Sequence, residues 1–320
     1  MVDVVVVGSY NHDYVWRSAQ LPIAGETRLG TFASGPGGKG FNQAIAAARQ
    51  GARCTFVGAL GIDSAAEAAL ALAASEGVSV CIERQPDLAT GSAAILLDAA
   101  GQNMIVVGPG ANAALSAAHI RQQSELIAGT RILVLQNETT LAACAEAMQI
   151  ARRANVLTLY NPAPAADVMA LALLRLSDVL TPNESEFVAL LKHSGVIVEN
   201  EAIADHSDDE LHALCRRLGV ATVVLTLGAR GAFVSHADAN LRGDQVSHYR
   251  HAAEPAAVLD TTGAGDAFNG GLAAALAHAP HAPFANAVRD AGRVAALAVE
   301  RAGAALAMPL RSEVLARFPD

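Results

Sequence analysis

The sequence predicts an α/β protein with a doubly wound, mostly parallel β-sheet and helices on both of its faces. Short runs rich in β-branched residues alternate along the chain with alanine-rich segments of helical length, an order that favours parallel strands joined by helices. The first run is Val4-Val5-Val6-Val7, and an uninterrupted apolar run is typical of a strand buried on both faces. The chain has 320 residues, 52% of them hydrophobic, so one domain over residues 1–320 has enough apolar surface for a large core.

The remaining elements follow in a regular order. Further buried strands are predicted at residues 54–57, 132–135, 156–159, 179–181 and 223–226. The intervening helices are predicted at residues 65–76, 141–151, 184–191, 210–218 and 266–277. Because parallel neighbours need a long crossover between them, this repeated strand and helix order predicts one parallel sheet.

Two stretches interrupt that alternation. They are residues 13–33 and residues 93–108, and in the second the apolar runs 94–98 and 103–107 flank the turn 99–102. Two short runs around such a turn predict a β-hairpin. Residues 196–209 are expected to form a surface loop.

The segment from Asp260 to Gly270 carries the strongest indication of chemistry. Gly263, Ala264 and Gly265 precede an alanine-rich helix, and the free N–H groups and positive dipole end of a helix N-terminus favour an anion. Asp266 follows in the first turn, where it is suited to accept a proton from a hydroxyl that attacks a bound phosphate. The alternative is that Asp266 only complements the helix dipole.

The N-terminal strand is followed by a second group of polar residues. If the chain continues as a strand, Asn11 and Asp13 project from one face and His12, Tyr14 and Trp16 from the other. An amide beside a carboxylate suits two vicinal hydroxyl groups. This pair is therefore a candidate site for a polyol.

Residues 35–43 read as a glycine-rich loop that leads into a helix, with Lys39 and Asn42 as donors near its end. The spacing fits a dinucleotide fingerprint, but the preceding residues 26–34 are polar and do not form the buried strand that this motif requires. A phosphate-binding P-loop would need glycine in place of Ala33 and serine or threonine in place of Gly40. A flexible linker remains the alternative for this loop.

Several polar residues follow the predicted strands directly, at the edge where ligands bind in doubly wound sheets. They are Glu138, Asn161, Asn183, Glu186, Thr226 and Gly228. Taken locally, Asn183 and Glu186 are also what a helix cap with an acidic first turn requires. The pattern by itself leaves both interpretations open.

Composition excludes several classes of protein. A formal net charge of −9 argues against a nucleic acid or an anionic membrane as partner. The uncharged stretch 267–288 contains Pro280 and Pro283 and is a poor membrane span. The four cysteines form no C-x-x-C pair, which predicts reduced thiols in a cytoplasmic protein and neither a zinc site nor a disulfide framework.

The order of these motifs resembles the PfkB family of carbohydrate kinases over nearly the whole chain. The matching segments are Gly8-Ser9-Tyr10-Asn11-His12-Asp13, residues 22–27, the signature at residues 37–44, residues 110–116, residues 161–164, residues 181–186, residues 226–231 and residues 260–270. Two signatures this far apart, with linking motifs in sequence, make the resemblance specific.

The resemblance implies a ribokinase-like fold in which residues 10–35 and 92–108 form a small β-sheet lid over the sugar. It also implies transfer of the γ-phosphoryl group of ATP to a sugar hydroxyl, and the closest similarity is to members that phosphorylate the 5-hydroxyl of D-ribose. The alternatives are a kinase of the same family for deoxyribose, a ketohexose or a nucleoside, and a catalytically silent sugar-sensing protein. A homodimer through the lids is expected.

The resemblance further implies a role for each matching position. Sugar binding falls to Asn11, Asp13, Gly38, Lys39, Asn42, Glu138 and Asp266, with Asp266 as the base and Gly263, Ala264 and Gly265 as the anion hole. The nucleotide site is implied at Asn183, Thr226 and Gly228, with Glu186 working with Mg²⁺. A site for a monovalent cation, expected to be K⁺, is implied at Asp260, Thr262, Ala298 and Gly303, although Ala307 departs from the serine that is frequent in the family.

Overall fold

The computed structural model describes residues 2–165, 170–198 and 202–319 of the chain. The strands are β1 (Val4–Val7), β2 (Asn11–Arg17), β3 (Thr31–Gly37), β4 (Cys54–Leu60), β5 (Ser79–Arg84), β6 (Ser92–Leu97), β7 (Asn103–Gly108), β8 (Ile132–Leu135), β9 (Leu157–Tyr160), β10 (Val179–Leu180), β11 (Thr222–Thr226), β12 (Ala232–His236) and β13 (His248–His251). The helices are α1 (Lys39–Arg49), α2 (Ser64–Ser75), α3 (Ala117–Gln122), α4 (Ser124–Ala128), α5 (Leu141–Arg153), α6 (Ala170–Leu174), α7 (Glu184–His193), α8 (Asp208–Arg217), α9 (Ala264–His278), α10 (Phe284–Ala298) and α11 (Arg311–Arg317).

The larger sheet has nine strands in the order β13-β12-β11-β10-β9-β8-β1-β4-β5. From β11 to β5 every neighbouring pair is parallel, while β12 and β13 add an antiparallel edge. Strand order runs outward in both directions from β1, which is what a doubly wound sheet requires. The predicted fold class is confirmed.

Strand β1 is buried on both faces, which explains its uninterrupted valine run. Val4 and Val6 pack into one apolar core, together with Phe41 of α1 and Leu272 of α9. Val5 and Val7 point to the opposite face and join a second core that contains Phe187 of α7. Successive side chains of a strand point to opposite faces, so helices on both sides need an apolar residue at every position of β1.

The predicted boundaries of the five helices α2, α5, α7, α8 and α9 agree with the structure to within two residues at every terminus. Capping side chains explain several of the starts. Asp63 accepts from the Ala66 N–H at 2.9 Å before α2, and Thr140 accepts from the Ala143 N–H at 3.1 Å before α5.

The loop predicted for residues 196–209 contains regular structure at two places. A 3-10 turn lies at Ile203–Asp205, and helix α8 begins at Asp208, after its N-cap Ser207. Residues 199–201 of that loop lie outside the described residues.

The smaller sheet has four strands in the order β3-β2-β6-β7, in the two segments expected to form the lid. The predicted hairpin is confirmed as the antiparallel pair β6 and β7. The predicted glycine-rich loop is corrected, because Gly35 and Gly37 belong to β3 and pair with Asp13 and Asn11 of β2. Only Gly38 separates that strand from α1.

Eight of the described elements were not predicted from the sequence: the strands β5, β12 and β13 and the helices α3, α4, α6, α10 and α11. Strand β13 reads His248-Tyr249-Arg250-His251 and has no apolar run, because it is only half-buried. Helix α10 carries three charged residues in its central turns.

In the described part of the chain, no helix is long and apolar enough to cross a membrane.

Candidate active site

The candidate active site lies where β1, β8 and β9 end and the N-termini of α1 and α9 meet. Asp266, in the first turn of α9, is only 6% exposed. Its Oδ2 accepts a hydrogen bond from Asn42 Nδ2 at 2.8 Å and its Oδ1 accepts one from Gln43 Nε2 at 2.9 Å. Both donors come from α1, so the carboxylate faces the neighbouring helix and α9 has no side-chain cap of its own.

The charge of Asp266 is set by opposing influences. Burial raises the pKa of its carboxyl, while the Lys39 ammonium and the amides of Asn42 and Gln43 act to lower it. Burial lowers the pKa of Lys39, but the nearby carboxylates outweigh it and leave that pKa raised. Lys39 is therefore a cation at neutral pH, held next to the buried carboxylate.

Glu138 joins the end of β8 to the start of α1. Its Oε2 accepts from Ser9 Oγ at 2.5 Å and from the Lys39 backbone N–H at 3.0 Å. The donor Ser9 is fully buried directly after β1. These contacts fix one carboxylate oxygen of Glu138 and leave the other available to a ligand.

Asn11 and Asp13 lie on β2, on the same face of the lid as predicted. Asn112 holds Asn11 in place, because its Nδ2 donates to Asn11 Oδ1 and to the Tyr10 carbonyl, each at 2.9 Å. Burial raises the pKa of Asp13 to about 7, and the nearby charges of Glu138 and Asp266 act in the same direction. Three carboxylates thus converge on one space.

Two glycines between β3 and α1 allow this close approach. Gly38 has φ +88°, and a Cβ atom at this position would lie 2.5 Å from the Asn11 backbone nitrogen. A Cβ at Gly40 would lie 2.6 Å from the Gly8 Cα. Side chains would separate α1 from β1 and β2, so the glycines are required by the backbone packing that forms the site.

The predicted anion hole lies at the start of α9. Gly263 is the N-cap with φ +74°, in the left-handed region, and the N–H groups of the first helical turn have no acceptor within the helix. An added Cβ at Gly265 would have no protein atom within 4 Å. The space beside Gly265 is therefore open to a ligand.

A cavity of about 950 Å³ opens on the other side of this helix N-terminus. The predicted residues Asn183, Thr226 and Gly228 line it, as do Ala264 and Gly265. Sequence patterns did not predict its apolar wall, which is formed by Phe268, Val288, Ala295, Ala296 and Val299, or the segment 252–256 that also lines it. An apolar wall beside a helix N-terminus suits a flat aromatic group joined to phosphates.

Asn183 and Glu186 form a complete capping box at the start of α7. Asn183 Oδ1 accepts from the Glu186 N–H and Glu186 Oε2 accepts from the Asn183 N–H, each at 2.9 Å. The local capping interpretation is therefore correct for both residues. Burial raises the pKa of Glu186, and nearby Asp266 adds to that rise, so the Glu186 carboxyl also borders the polar cluster.

Three of the four positions implied for a monovalent cation meet around one carboxylate. Asp260 Oδ1 accepts from the Thr262 N–H at 2.9 Å and Asp260 Oδ2 from the Gly303 N–H at 3.1 Å. The carbonyl of the fourth position, Ala298, accepts from the Arg301 N–H at 3.2 Å. Arg17 of the lid strand β2 reaches the same carboxylate, with Nη2 3.6 Å from Asp260 Oδ2.

Sequence reasoning missed the residues that hold the site together. Gln43, Gln136 and Asn112 are buried and hydrogen-bonded to site residues or to each other. Buried amides have no hydrophobic period that would reveal them. The available signals were that Gln43 adjoins Asn42 in the glycine-rich segment and that Asn112 lies in the matching segment 110–116. Among the described residues, no group of three or more His, Cys, Asp or Glu is arranged to hold a metal.

Comparison with known proteins agrees with this geometry. The chain matches the sequence model of the pfkB family carbohydrate kinase over residues 1–311. It is 36% identical over 316 residues to the ribokinase of Haemophilus influenzae, which covers 98% of this chain and 97% of that protein. The structure of ribokinase from Giardia lamblia has a TM-score of 0.86 at 28% identity, and covers 99% of this chain and 98% of that one. Arabidopsis thaliana ribokinase complexed with ribose and ATP has a TM-score of 0.84 at 29% identity over 98% of both chains.

Proposed function

Because this chain belongs to the pfkB family of carbohydrate kinases, we propose that it transfers the γ-phosphoryl group of ATP to the 5-hydroxyl of D-ribose. It is a phosphotransferase with an alcohol group as acceptor. The observation that carries the proposal is the position of Asp266, which lies in the polar cluster while its neighbours Ala264 and Gly265 line the 950 Å³ cavity. A sugar hydroxyl and a terminal phosphate can therefore meet at one helix N-terminus.

On the sugar side, the open faces of Asn11, Asp13 and Glu138 accept and donate hydrogen bonds to the ring hydroxyls, and the donors of Gly38, Lys39 and Asn42 complete the set. Asp266 orients the attacking hydroxyl and takes its proton late, because the phosphoryl transition state is loose. Burial raises the pKa of Asp266 and its amide partners act to lower it, but a carboxylate is still a weak base for an alcohol, which this late transfer tolerates.

On the phosphate side, the N–H groups of Gly263, Ala264 and Gly265 stabilise the charge that develops on the transferred group. Asn183, Thr226 and Gly228 bind the nucleotide. A Mg²⁺ ion at this site would be bound by phosphate oxygens and water, and Glu186 would position that water. Bound there, Mg²⁺ neutralises phosphate charge.

A substrate panel tests the proposal. In a coupled assay of ADP release, D-ribose is expected to give the highest kcat/KM among ribose, deoxyribose, ketohexoses and nucleosides. The reason is that charged and amide side chains, among them Asn11, Asp13, Lys39 and Glu138, suit a small polyol. A nucleoside or hexose that exceeds ribose tenfold would leave only the family assignment. No ADP release with any of them would favour the silent sugar-sensing protein.

We also propose that K⁺ activates the enzyme through the Asp260 site. Backbone carbonyls and one carboxylate are hard oxygen ligands, and their spacing does not depend on the side chain at Ala307, which is buried in the 3-10 turn Ala305–Ala307. Turnover is expected to be higher in potassium than in sodium chloride at equal ionic strength. Equal turnover in potassium and in tetramethylammonium chloride would contradict the cation site.

The lid supports the proposal of a homodimer. Tyr14, Trp16 and Phe32 form one aromatic cluster, with centroids of Trp16 and Phe32 5.1 Å apart. Trp16 remains 42% and Phe32 56% exposed, so packing within the chain covers only part of this apolar surface. An exposed aromatic patch of this kind is typical of an interface.

Light scattering at micromolar concentration is expected to give the mass of a dimer. Trp16→Asp should shift the protein towards the monomer because it places a charge in the patch, whereas Ile62→Asp, at an exposed site before α2, should not. A monomeric parent protein would contradict the proposal.

The four cysteines of the protein are unpaired. On that basis we assign the protein to the cytoplasm.

A further inference from the structure

The buried amide of Gln43 holds the base of the proposed reaction from one side. Gln43 is fully buried in α1, and its Nε2 donates to Asp266 Oδ1 at 2.9 Å across 223 residues of sequence. Because Gln43 has no exposed surface, a ligand in the site does not touch its side chain. Gln43 therefore acts on the reaction through the side chains that it contacts, of which Asp266 is the proposed base.

An amide has nearly the same shape in both of its orientations, so a second contact is needed to fix which end faces Asp266. Gln136, fully buried directly after β8, supplies it by donating from Nε2 to Gln43 Oε1 at 2.7 Å. Gln43 Nε2 also lies 3.3 Å from Asn161 Oδ1. With a donor on its oxygen and two acceptors at its nitrogen, the Gln43 amide has one satisfied orientation.

We propose, given the function assigned above, that Gln43 is a positioning residue for Asp266 and that Gln136 acts through it by fixing the amide orientation. Asn42 already holds Oδ2 of the carboxylate at 2.8 Å. Two fixed contacts, one on each oxygen, define the plane of the carboxylate, and with it the direction of the lone pairs that accept the hydroxyl proton. One contact alone would leave rotation about the Cβ–Cγ bond.

The same contact influences the charge of Asp266. The charged groups that face it are Lys39 from α1, Glu138 after β8, Asp13 from β2 and Glu186 from α7. The Gln43 amide stabilises the ionised form, so its removal raises the pKa of Asp266 further above the ordinary value. The acidic limb of the kcat profile then moves to higher pH.

Gln43→Met tests this directly, since methionine keeps the unbranched length and removes the donor. Loss of a hydrogen bond to a charged group is expected to lower kcat by about tenfold to a hundredfold. The acidic limb should shift upward by about half a pH unit or more, and the KM for ribose should change less than about threefold, since the sugar contacts remain.

Gln50→Met is the matched control. Gln50 is also buried, lies two turns further along the same helix at its C-cap, and donates from Nε2 to the Pro309 carbonyl at 2.8 Å. Its substitution removes a buried amide contact far from Asp266. A lower Tm with an unchanged pH profile is expected, which separates loss of stability from loss of positioning.

Gln136→Met is the second test, and it decides the matter if Gln43→Met does not fold. It leaves the Gln43 amide free to turn, and should shift kcat and its pH profile in the same direction by a smaller amount. The inference would be overturned if a folded Gln43→Met protein kept the kcat and the pH profile of the parent. If Gln43→Met does not fold, the same result with a folded Gln136→Met protein would overturn it. Failure of the proposed function is a different result, namely a parent protein without ribose-dependent ADP release.

Discussion

Asp266→Asn is expected to lower kcat by about a hundredfold or more, the usual contribution of a general base. Asparagine keeps the size of the side chain but cannot take the proton of the attacking hydroxyl. The KM for ribose should change much less, because the other polar contacts of the sugar remain. Steady-state kinetics in the coupled assay measure both values.

Glu210→Gln is a matched control, because Glu210 and Asp266 occupy the same position, three residues after the N-cap, of α8 and α9. If Asp266 only complemented its helix dipole, both variants would lose roughly 1 kcal/mol of stability or less and keep their activity. Near-normal turnover by a folded Asp266→Asn protein would remove Asp266 from the mechanism.

Asp13→Ala is expected to weaken ribose binding by about a hundredfold, because two hydroxyl donors lose a charged acceptor. The loss should appear first in KM, since these contacts exist in the ground state and in the transition state alike. Trp16 is the single tryptophan and lies on the same strand, so its fluorescence offers a direct binding measurement. Unchanged affinity would place the sugar elsewhere.

The raised pKa of Asp13 predicts the pH dependence of binding. With a pKa of about 7 in the empty site, the carboxyl is mostly protonated at pH 6 and mostly ionised at pH 8. Ribose hydroxyls donate to the ionised form, so affinity should rise with pH through 7 and be about tenfold weaker at pH 6 than at pH 8. Asp13→Asn should abolish this dependence. In the protein without sugar, stability depends on pH with the opposite sign to ribose affinity. Burial opposes the charge of the Asp13 carboxyl, so the contribution of Asp13 to the free energy of unfolding falls as pH rises from about 4 to 7.

Local patterns predicted the larger part of the fold. The valine run of β1 and the apolar runs of β4, β8, β9 and β11 identified the sheet, because a strand covered on both faces has no polar position. The same reasoning failed for the edge strands β5 and β13, since an edge strand needs less apolar surface and β13 carries two histidines and an arginine. Packing against the sheet, rather than local preference, formed them.

By itself, the sequence determined six of the nine strands of the doubly wound sheet, that a carboxylate follows a small-residue turn at a helix start, and which family these motifs resemble. Hydrophobic period and turn chemistry act within a few residues and can be read along the chain. Only the tertiary structure decided that Gln43 holds Asp266 across 223 residues, that the pKa of Asp13 rises to about 7, and that an apolar cavity adjoins the anion hole. Those properties come from desolvation and from contacts between distant segments, which exist only once the chain has packed.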